Sequence, residues 1–494
     1  MILPMIKHKP PQYAFQMICL EDYVPKDHLL RKIDRYIDFS FIEDLTHDLY
    51  CHDNGRPAIH PISLFKMLFI GYLFGIRSER RLVQEIEVNL AYRWFIGYDL
   101  DDKIPNHSTF SQARRLRFIK RPELVREIFD NIVRQCIDYG LIDGKVLFTD
   151  STHIKANANK GKFDAVIVKE QPMAYLAELD REVDAIRQAE GRKPFDRDDD
   201  ASGQGKSHEI KRSKTDPDSG FMTRDGKPKG FFYLDHRTVD GMYGLIVDSH
   251  VTPGNINDAR PYPSRVRYLR THFGFNIHTV GIDAGYKTTY IAKFLSEMGI
   301  YGVTGYKRPI HKYGMYYPRE YQYDKNTQSY ICPQGHRLNP GTLDRRGYRI
   351  FSIDAKTCQN CPTHHRCTAS PSKKLFRHIW QDKLEELDSH RLTPYGKKID
   401  KRRKETVERS FADSKEMHGL RYARFRGLLK VQMQCLLVAI CQNMKKMALV
   451  LSRRDDKSPF LRLKRVLKPL SEGIQRFFER EPFFYRAFMQ IGTF

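Results

Sequence analysis

At 494 residues with 40% apolar side chains, including 30 Phe and 27 Tyr, the chain is long enough for roughly two to four domains with real cores. Lys and Arg outnumber Asp and Glu by 84 to 60, and the formal excess of +24 attracts a polyanion, with nucleic acid the first candidate and a membrane surface the second. The longest uncharged apolar run, Met67 to Ile76, falls far short of the roughly 18 residues of a spanning helix. The first residues, MILPMIKHKPPQY, carry no apolar signal-peptide core. Nine cysteines, four of them crowded into 332–367, suit a reducing compartment with a local metal site better than a disulfide framework. The expected setting is the cytoplasm, with no membrane partner.

From about 20 to 135 the pattern predicts helices. In SLFKMLFIGYLFGIRSERRLVQEIEVNLAYRWFIG apolar residues recur at three- and four-residue spacing, with Arg77, Arg80, Arg81 and Arg93 interleaved, as in a compact basic helical domain. After Pro105, NHSTFSQARRLRF offers Ser108 or Thr109 as a helix cap, followed by Arg114, Arg115 and Arg117. Two readings stand for this helix: a basic element that enters a DNA groove, as in helix-turn-helix proteins, or a solvated basic helix.

KVLFTD (145–150) is a short apolar run ending in an acid and predicts a buried strand. Residues 174–189 are helical in pattern, and 195–220, rich in Gly, Ser, Asp and Lys, predict a mobile stretch within an insert of about 160–225. GFFYLDHRTVD and GLIVDSHVTP, joined at Asp240-Gly241, predict a hairpin. IHTVGIDAGY (277–286) is a further strand, and YIAKFLSEMGIYGVTGY continues as helix then strand. Early strands pairing antiparallel and later ones alternating with helices predict a mixed sheet flanked by helices. Tyr-rich and Cys-rich sequence interrupts that rhythm over 310–375. Two helical stretches follow, the second with Leu429, Met433, Leu436, Leu437, Ile440, Met444 and Met447 as one apolar stripe.

Three acids stand out. Asp150 and Asp283 each end an apolar strand run, and Glu408 lies in an otherwise basic helix. A carboxylate at a sheet rim is partly desolvated and held by the backbone, well placed for a hard cation. Phosphoryl transfer on DNA uses two such cations about 3.5–4 Å apart. At 100° per residue Lys404, Glu408 and Lys415 fall within roughly 40° of one helix face, so the lysines stand ready for phosphate oxygens, while Val407 and Phe411 face a core. The alternatives are a surface Glu paired with Lys404 and strand-end Asp residues serving as turn or cap acids.

Cys332, Cys358, Cys361 and Cys367 are spaced C-x25-C-x2-C-x5-C, with His336, His364 and His365 nearby. The C-x-x-C pair suits tetrahedral Zn²⁺; reduced buried thiols or a redox-sensitive pair are the other reading. Cys19, Cys51, Cys136, Cys435 and Cys441 lie in helical apolar contexts and are expected in cores.

FTDSTHIKANANK, VGIDAGYKTTY and KETVERSFADSKEMHGLRYARFRG resemble, in order, the first Asp, second Asp and Glu blocks of the DDE transposases of bacterial insertion sequences. The helical stretch HPISLFKMLFIGYLFGIRSERRLVQEIEVNLAYRWFIG is similar to the N-terminal domain of one branch of that family, and with YICPQGH and CQNCPTHHRC the resemblance spans most of residues 20–450. It implies an α/β fold with a ribonuclease-H-like mixed sheet flanked by helices, an all-α N-terminal domain and a Cys-rich insertion. Asp150, Asp283 and Glu408 would then be catalytic and would bind Mg²⁺ or Mn²⁺. Many relatives place Tyr and Arg seven and four residues before the Glu and Lys seven after it; here Lys401 does not match the Tyr, Lys404 keeps the charge and Lys415 matches.

The domains expected are 1–135, helical and DNA-binding; 140–310, the first part of the core; 311–378, Cys-rich with Cys332, Cys358, Cys361 and Cys367 as candidate Zn²⁺ ligands; 379–452, carrying Glu408; and 453–494, a basic aromatic tail. The implied function is a transposase that binds terminal inverted repeats, cleaves DNA and transfers the strand, working as a homodimer or larger synaptic complex on DNA at the bacterial nucleoid. Arg114, Arg115, Arg117, Lys404, Arg409 and Lys415 are the candidate DNA contacts. The rival readings are a nuclease without strand transfer and an inactive DNA-binding regulator.

Overall fold

The computed structural model describes residues 19–50, 58–114, 120–169, 175–196, 207–223, 229–306 and 313–457. The chain divides into two compact units, Met1–Ile132 with Asn443–Phe494, and Val133–Gln442.

The described part of the first unit is helical: α1 (Leu20–Tyr23), α2 (Leu29–Tyr36), α3 (Phe41–Thr46), α4 (Pro61–Leu73), α5 (Glu79–Val88), α6 (Leu90–Ile96), α7 (Ser108–Ala113) and the start of α8 (Leu124–Asp138). Helix α4 is apolar on nearly every side and buries every residue from Met67 to Leu73, so the other helices must surround it. Its Phe69 packs against the ring of Phe39, which in turn meets Phe95 of α6, and its single cation, Lys66, lies over the rings of Phe39 and Phe95 while pairing with Asp34 at 2.7 Å.

Two sequence expectations change here. Arg93 is a buried pin rather than a surface charge: it donates to the carbonyls of Glu87, Asp99 and Asp102 and so fixes the chain leaving α6. Neither Ser108 nor Thr109 caps α7, because Asn106 accepts the Ser108 N–H at 3.0 Å and starts the helix one residue earlier. Of the three arginines expected there to meet DNA, Arg114 is partly buried and ion-paired with Glu79; Arg115 and Arg117 lie outside the described residues.

The second unit opens with β1 (Val146–Lys155), then β2 (Phe163–Lys169), α9 (Leu176–Ala189) and β3 (Ser207–Ser213). Strands β2 and β3 form a two-stranded antiparallel sheet of their own, so the described part of the 160–225 stretch carries regular structure. There follow β4 (Gly220–Met222), β5 (Gly230–Asp240), β6 (Ile246–Pro253), α10 (Tyr262–Phe273), β7 (Thr279–Ile282), α11 (Thr289–Glu297) and β8 (Tyr301–Thr304). The order is β4-β5-β1-β7-β8, with β6 also paired to β5. Pairing is antiparallel from β1 through β5 to β6 and parallel from β1 through β7 to β8. This is the mixed sheet that the order of apolar runs predicts.

A second sheet, order β13-β12-β11-β10-β9, is built from β9 (Gln322–Asp324), β10 (Ser329–Ile331), β11 (Arg337–Leu343), β12 (Tyr348–Ser352) and β13 (Lys374–His378), with short helices α12 (Ala355–Gln359) and α13 (His364–Cys367) between the last two strands. The chain then returns to helices α14 (Gln381–Leu392), α15 (Pro394–Arg403), α16 (Arg409–Glu416) and α17 (Leu428–Lys457).

Helix α17 is long and apolar enough over Leu428–Asp455 to cross a membrane, yet 72% of its most apolar window is buried within the protein. It also carries buried Gln434 and Gln442, both hydrogen-bonded, which marks a core helix. Cys136, Cys435 and Cys441 are buried as expected, Cys19 is exposed, and Cys51 lies outside the described residues. The tail beyond residue 457 likewise lies outside them.

His236 on β5 is buried, bonded through Nε2 to Thr252 at 2.8 Å, and its Nδ1 has no partner. Burial lowers its pKa to about 4, against the pull of Asp235 and Asp248. The folded chain therefore takes this proton near pH 4 and the unfolded chain near 6.5. As the pH falls through that window the unfolded state binds the additional proton and stability is lost. Urea titrations at pH 7 and pH 5 should show that His236→Gln removes about 2 kcal/mol of the acid-side loss seen in the native sequence; an unchanged difference would mean that His236 is not held neutral.

Candidate active site

Parallel pairing of β1 with β7 stops at Thr149 opposite Ile282. The next residue on each strand is an acid, so Asp150 and Asp283 leave the ladder side by side, on the same face by the two-residue alternation of strands. Asp150 does not end its strand as its sequence suggests. Antiparallel pairing with β5 carries β1 on to Lys155 opposite Phe232, because the ladder on that side continues after the parallel partner turns away. Asp283 instead begins a 3₁₀ turn, accepting the Gly285 N–H at 3.4 Å. Two residues before it, Gly281 gives the close approach that this end needs, since a Cβ there would stand 2.7 Å from Phe148 and 3.2 Å from Ile399 of α15.

Glu408 arrives from the opposite end of the chain. It lies in a π-helical turn, Lys404–Glu408, that joins α15 to α16. Residues 404–408 therefore do not follow 100° per residue, and the shared face expected for Lys404, Glu408 and Lys415 is not set by α-helical periodicity. Lys404 pairs with Asp400 at 3.8 Å.

The side chain that unites the three acids is Arg403. It is 6% exposed, and its guanidinium stands 3.4 Å from Asp150, 3.8 Å from Asp283 and 3.2 Å from Glu408, with Nε 3.8 Å from Asp400. Sequence reasoning passed over it within the KRRK run. The available signal was its place on the apolar stripe: Ile399, Arg403, Val407 and Phe411 recur every four residues and all are buried, so one arginine was committed to the interior.

Burial pushes the Asp150 carboxyl up to about 7; the Ser151 N–H pulls it down, Asp283 pushes it up, Arg403 pulls it down and Glu408 pushes it up. Next along β1, Ser151 donates to Asp258 at 2.8 Å, a fourth acid close to this end that the sequence did not single out. As placed, no group of three or more His, Cys, Asp or Glu side chains among the described residues holds the geometry of a metal site. For the three acids the reason is visible, since a guanidinium spans them.

A buried network fixes the helix that bears Glu408. Arg237 lies opposite Asp150 in the β1–β5 register and is fully buried. It pairs with Asp235 at 2.6 Å, donates to the hydroxyls of Ser410 and Ser414 at 2.9 and 2.7 Å, and lies 4.8 Å from the Phe411 ring centroid. Gln442 of α17 accepts from Ser410 at 2.9 Å and donates to Ser414 at 2.6 Å.

Cys332, Cys358, Cys361 and Cys367 line one cavity together with His336 and His364. The thiols are free; Cys367 is 3.0 Å from the Tyr321 hydroxyl and Cys358 accepts the Lys373 N–H at 3.4 Å.

Residues 18–116 match the family described as Transposase domain (DUF772), and residues 331–448 match the Transposase DDE domain. The two matches support a DDE transposase of the insertion-sequence type. Glu408 and Arg403 fall inside the second matched stretch, whereas Asp150 and Asp283 lie outside both. No curated protein matches the transposase. Among solved structures it is similar to a piggyBac transposase synaptic complex with hairpin DNA, at 10% identity over 88% of this chain and 83% of that one, with a TM-score of 0.32, a likeness too loose to carry an argument.

Removing Arg237 alone should leave Asp235 charged and buried without its partner. Arg237→Met is expected to cost about 3–5 kcal/mol in urea unfolding, and Arg237→Met with Asp235→Asn to recover part of that loss. Equal losses for the single and double variants would rule out the ion pair as the source.

Proposed function

We propose that this transposase binds the terminal inverted repeats of an insertion sequence, cleaves the DNA and transfers the strand, with Asp150, Asp283 and Glu408 as its divalent-metal ligands on a ribonuclease-H-like core. The observation that carries the assignment is that three acids from three distant elements surround one cation. A central first strand, antiparallel on one side and parallel on the other, supports the fold reading.

DDE transposases generally use Mg²⁺ or Mn²⁺, and the donor set fits such an ion: hard carboxylate oxygens, one of them mostly desolvated, around a position that already accommodates positive charge. Bound there, the metal would activate the attacking oxygen and stabilise the leaving one. Asp150, costly to ionise alone, gains most from a cation, and the end of the β1–β7 ladder holds it beside Asp283. Arg409, Lys404 and Lys415 bring positive charge to the same helical segment for phosphate oxygens. Arg115 and Arg117 belong to the contacts with the repeats, as does Arg114 on exchanging Glu79 for a phosphate, and the +24 excess makes DNA affinity strongly salt-dependent. Two ends must be held together, so the working form is a homodimer or larger synaptic complex on cytoplasmic, nucleoid DNA.

Asp150→Asn, Asp283→Asn and Glu408→Gln should each lower Mg²⁺-dependent cutting of a terminal-repeat duplex by orders of magnitude while binding to that duplex persists. Asp143→Asn and Asp413→Asn, neighbours in sequence, should cut normally. Near-normal cutting by any of the three variants would remove that residue from the site. Strand transfer from pre-cut ends separates a transposase from a nuclease that only cuts, and no cutting of any duplex with Mg²⁺ or Mn²⁺ would favour a DNA-binding regulator.

We also propose a structural Zn²⁺ held by Cys332, Cys358, Cys361 and Cys367. Its support is that all four side chains line one cavity; closing on an ion would require Cys367 to release Tyr321. Protein purified without chelators should carry about one zinc per chain by elemental analysis, and replacing both Cys358 and Cys361 by Ser should abolish it. Absence of zinc from the native protein would leave the reduced-thiol reading.

A further inference from the structure

We infer that Arg403 is an internal counter-ion that occupies the place of the divalent metal in the metal-free protein and must leave it for the metal to bind. The inference rests on reading Asp150, Asp283 and Glu408 as the metal ligands.

The contacts argue for a placeholder rather than a fixed pair. A committed arginine–carboxylate pair is short and two-pronged, at about 2.7–2.9 Å, and the same unit contains one: Arg265 grips Asp248 with two bonds of 2.7 Å. Arg403 makes nothing of that kind. Its four acid contacts run from 3.2 to 3.8 Å, only the one to Asp150 has hydrogen-bond geometry, at 3.4 Å, and the buried Nε has no hydrogen-bond partner. The guanidinium therefore serves several carboxylates loosely and completes its bonding with none.

An ion such as Mg²⁺ needs those same oxygens at about 2.0–2.1 Å. Two cations cannot share a space bounded by contacts of this length, so the metal and Arg403 exclude one another. Asp400 offers the guanidinium a landing place. It lies three residues back on α15 and already faces Nε at 3.8 Å. The flexible stem can move toward Asp400 without moving the helix. The free protein thus holds its acids neutralised and in place, at the cost of metal affinity. The measured affinity is the intrinsic one reduced by the fraction of molecules with Arg403 withdrawn.

The test is Mn²⁺ binding to the full-length protein without DNA, by calorimetry and by electron paramagnetic resonance of free Mn²⁺, with thermal melts in chelator and in Mn²⁺. Arg403→Gln should bind Mn²⁺ at least about tenfold more tightly than the native chain. It should also melt lower in chelator and gain more in Tm from Mn²⁺, because its acids have lost their cation. Arg403→Lys keeps the charge but cannot span three carboxylates, so its affinity should fall between the two, and it carries the test where Arg403→Gln fails to fold. Asp150→Asn reports on the underlying site. Mn²⁺ binding that Asp150→Asn abolishes, but that neither Arg403 variant tightens, overturns the counter-ion and leaves the metal site standing. Binding insensitive to Asp150→Asn overturns the site and the counter-ion together.

Discussion

Asp150 and Asp283 emerge side by side because parallel pairing between β1 and β7 ends one residue before each of them, and everything at this end of the sheet answers the repulsion that results. Burial disfavours ionisation of Asp150, and the neighbouring Asp283 carboxylate disfavours it further. The Asp150 carboxyl, raised to about 7 with burial as the leading cause, registers that tension. A third acid, Glu408, adds to it. Among these acids the fold places one cation, by turning Arg403 of a basic helix inward.

Where that arginine points depends on how its helix is seated. A helix lying on a sheet can slide or rotate at little cost if its buried face is uniformly apolar, since hydrophobic contact is non-directional. The Arg237 network removes that freedom. Its donors to Ser410 and Ser414, one turn apart, and the Gln442 amide that engages both hydroxyls from α17, accept one rotation and one register of α16. The π turn at 404–408 then accommodates an additional residue between this anchored helix and α15, bringing Arg403 and Glu408 to the same carboxylates. Buried polar groups of this kind add little net stability, but they discriminate sharply against alternatives that would leave them unsatisfied.

What the sequence made legible follows from this division. Strands β1, β5, β6 and β7 are readable because apolar runs bounded by turn residues have few other uses, and Asp150 and Asp283 are conspicuous for interrupting two of those runs. Resemblance to the family singles out Asp150, Asp283 and Glu408 from the sequence alone. Arg403 was not legible by the same route, because a charge run on a helix is usually a solvated face, and only its coincidence with the Ile399–Val407–Phe411 stripe sets it apart. Lys404 and Lys415 do not share a face by 3.6-residue periodicity, because the segment between them begins with a π-helical turn. The length of β1 was underestimated because periodicity cannot reveal that a second partner, β5, continues the ladder. Partnerships such as Arg237 with Ser410 join residues 173 apart and leave no local trace.

The distance in sequence between Asp283 and Glu408 is filled largely by the second sheet, and the core tolerates it because the chain leaves and re-enters at one place. It departs after β8 and returns as α14, which packs directly on β8. Gly302 leaves room for Leu387, where a Cβ would stand 2.5 Å from that side chain. His390 stacks on Tyr301 at 3.9 Å between centroids and contacts the Gly302 carbonyl through Nδ1 at 3.0 Å. Loop-closure entropy rises only slowly with the length of chain between two fixed points. An excursion of this length therefore costs the core little, provided that its ends are pinned this firmly. The same pins deliver α15 to the sheet edge, so the cavity lined by cysteines can serve a purpose of its own while Glu408 still reaches acids fixed more than a hundred residues earlier.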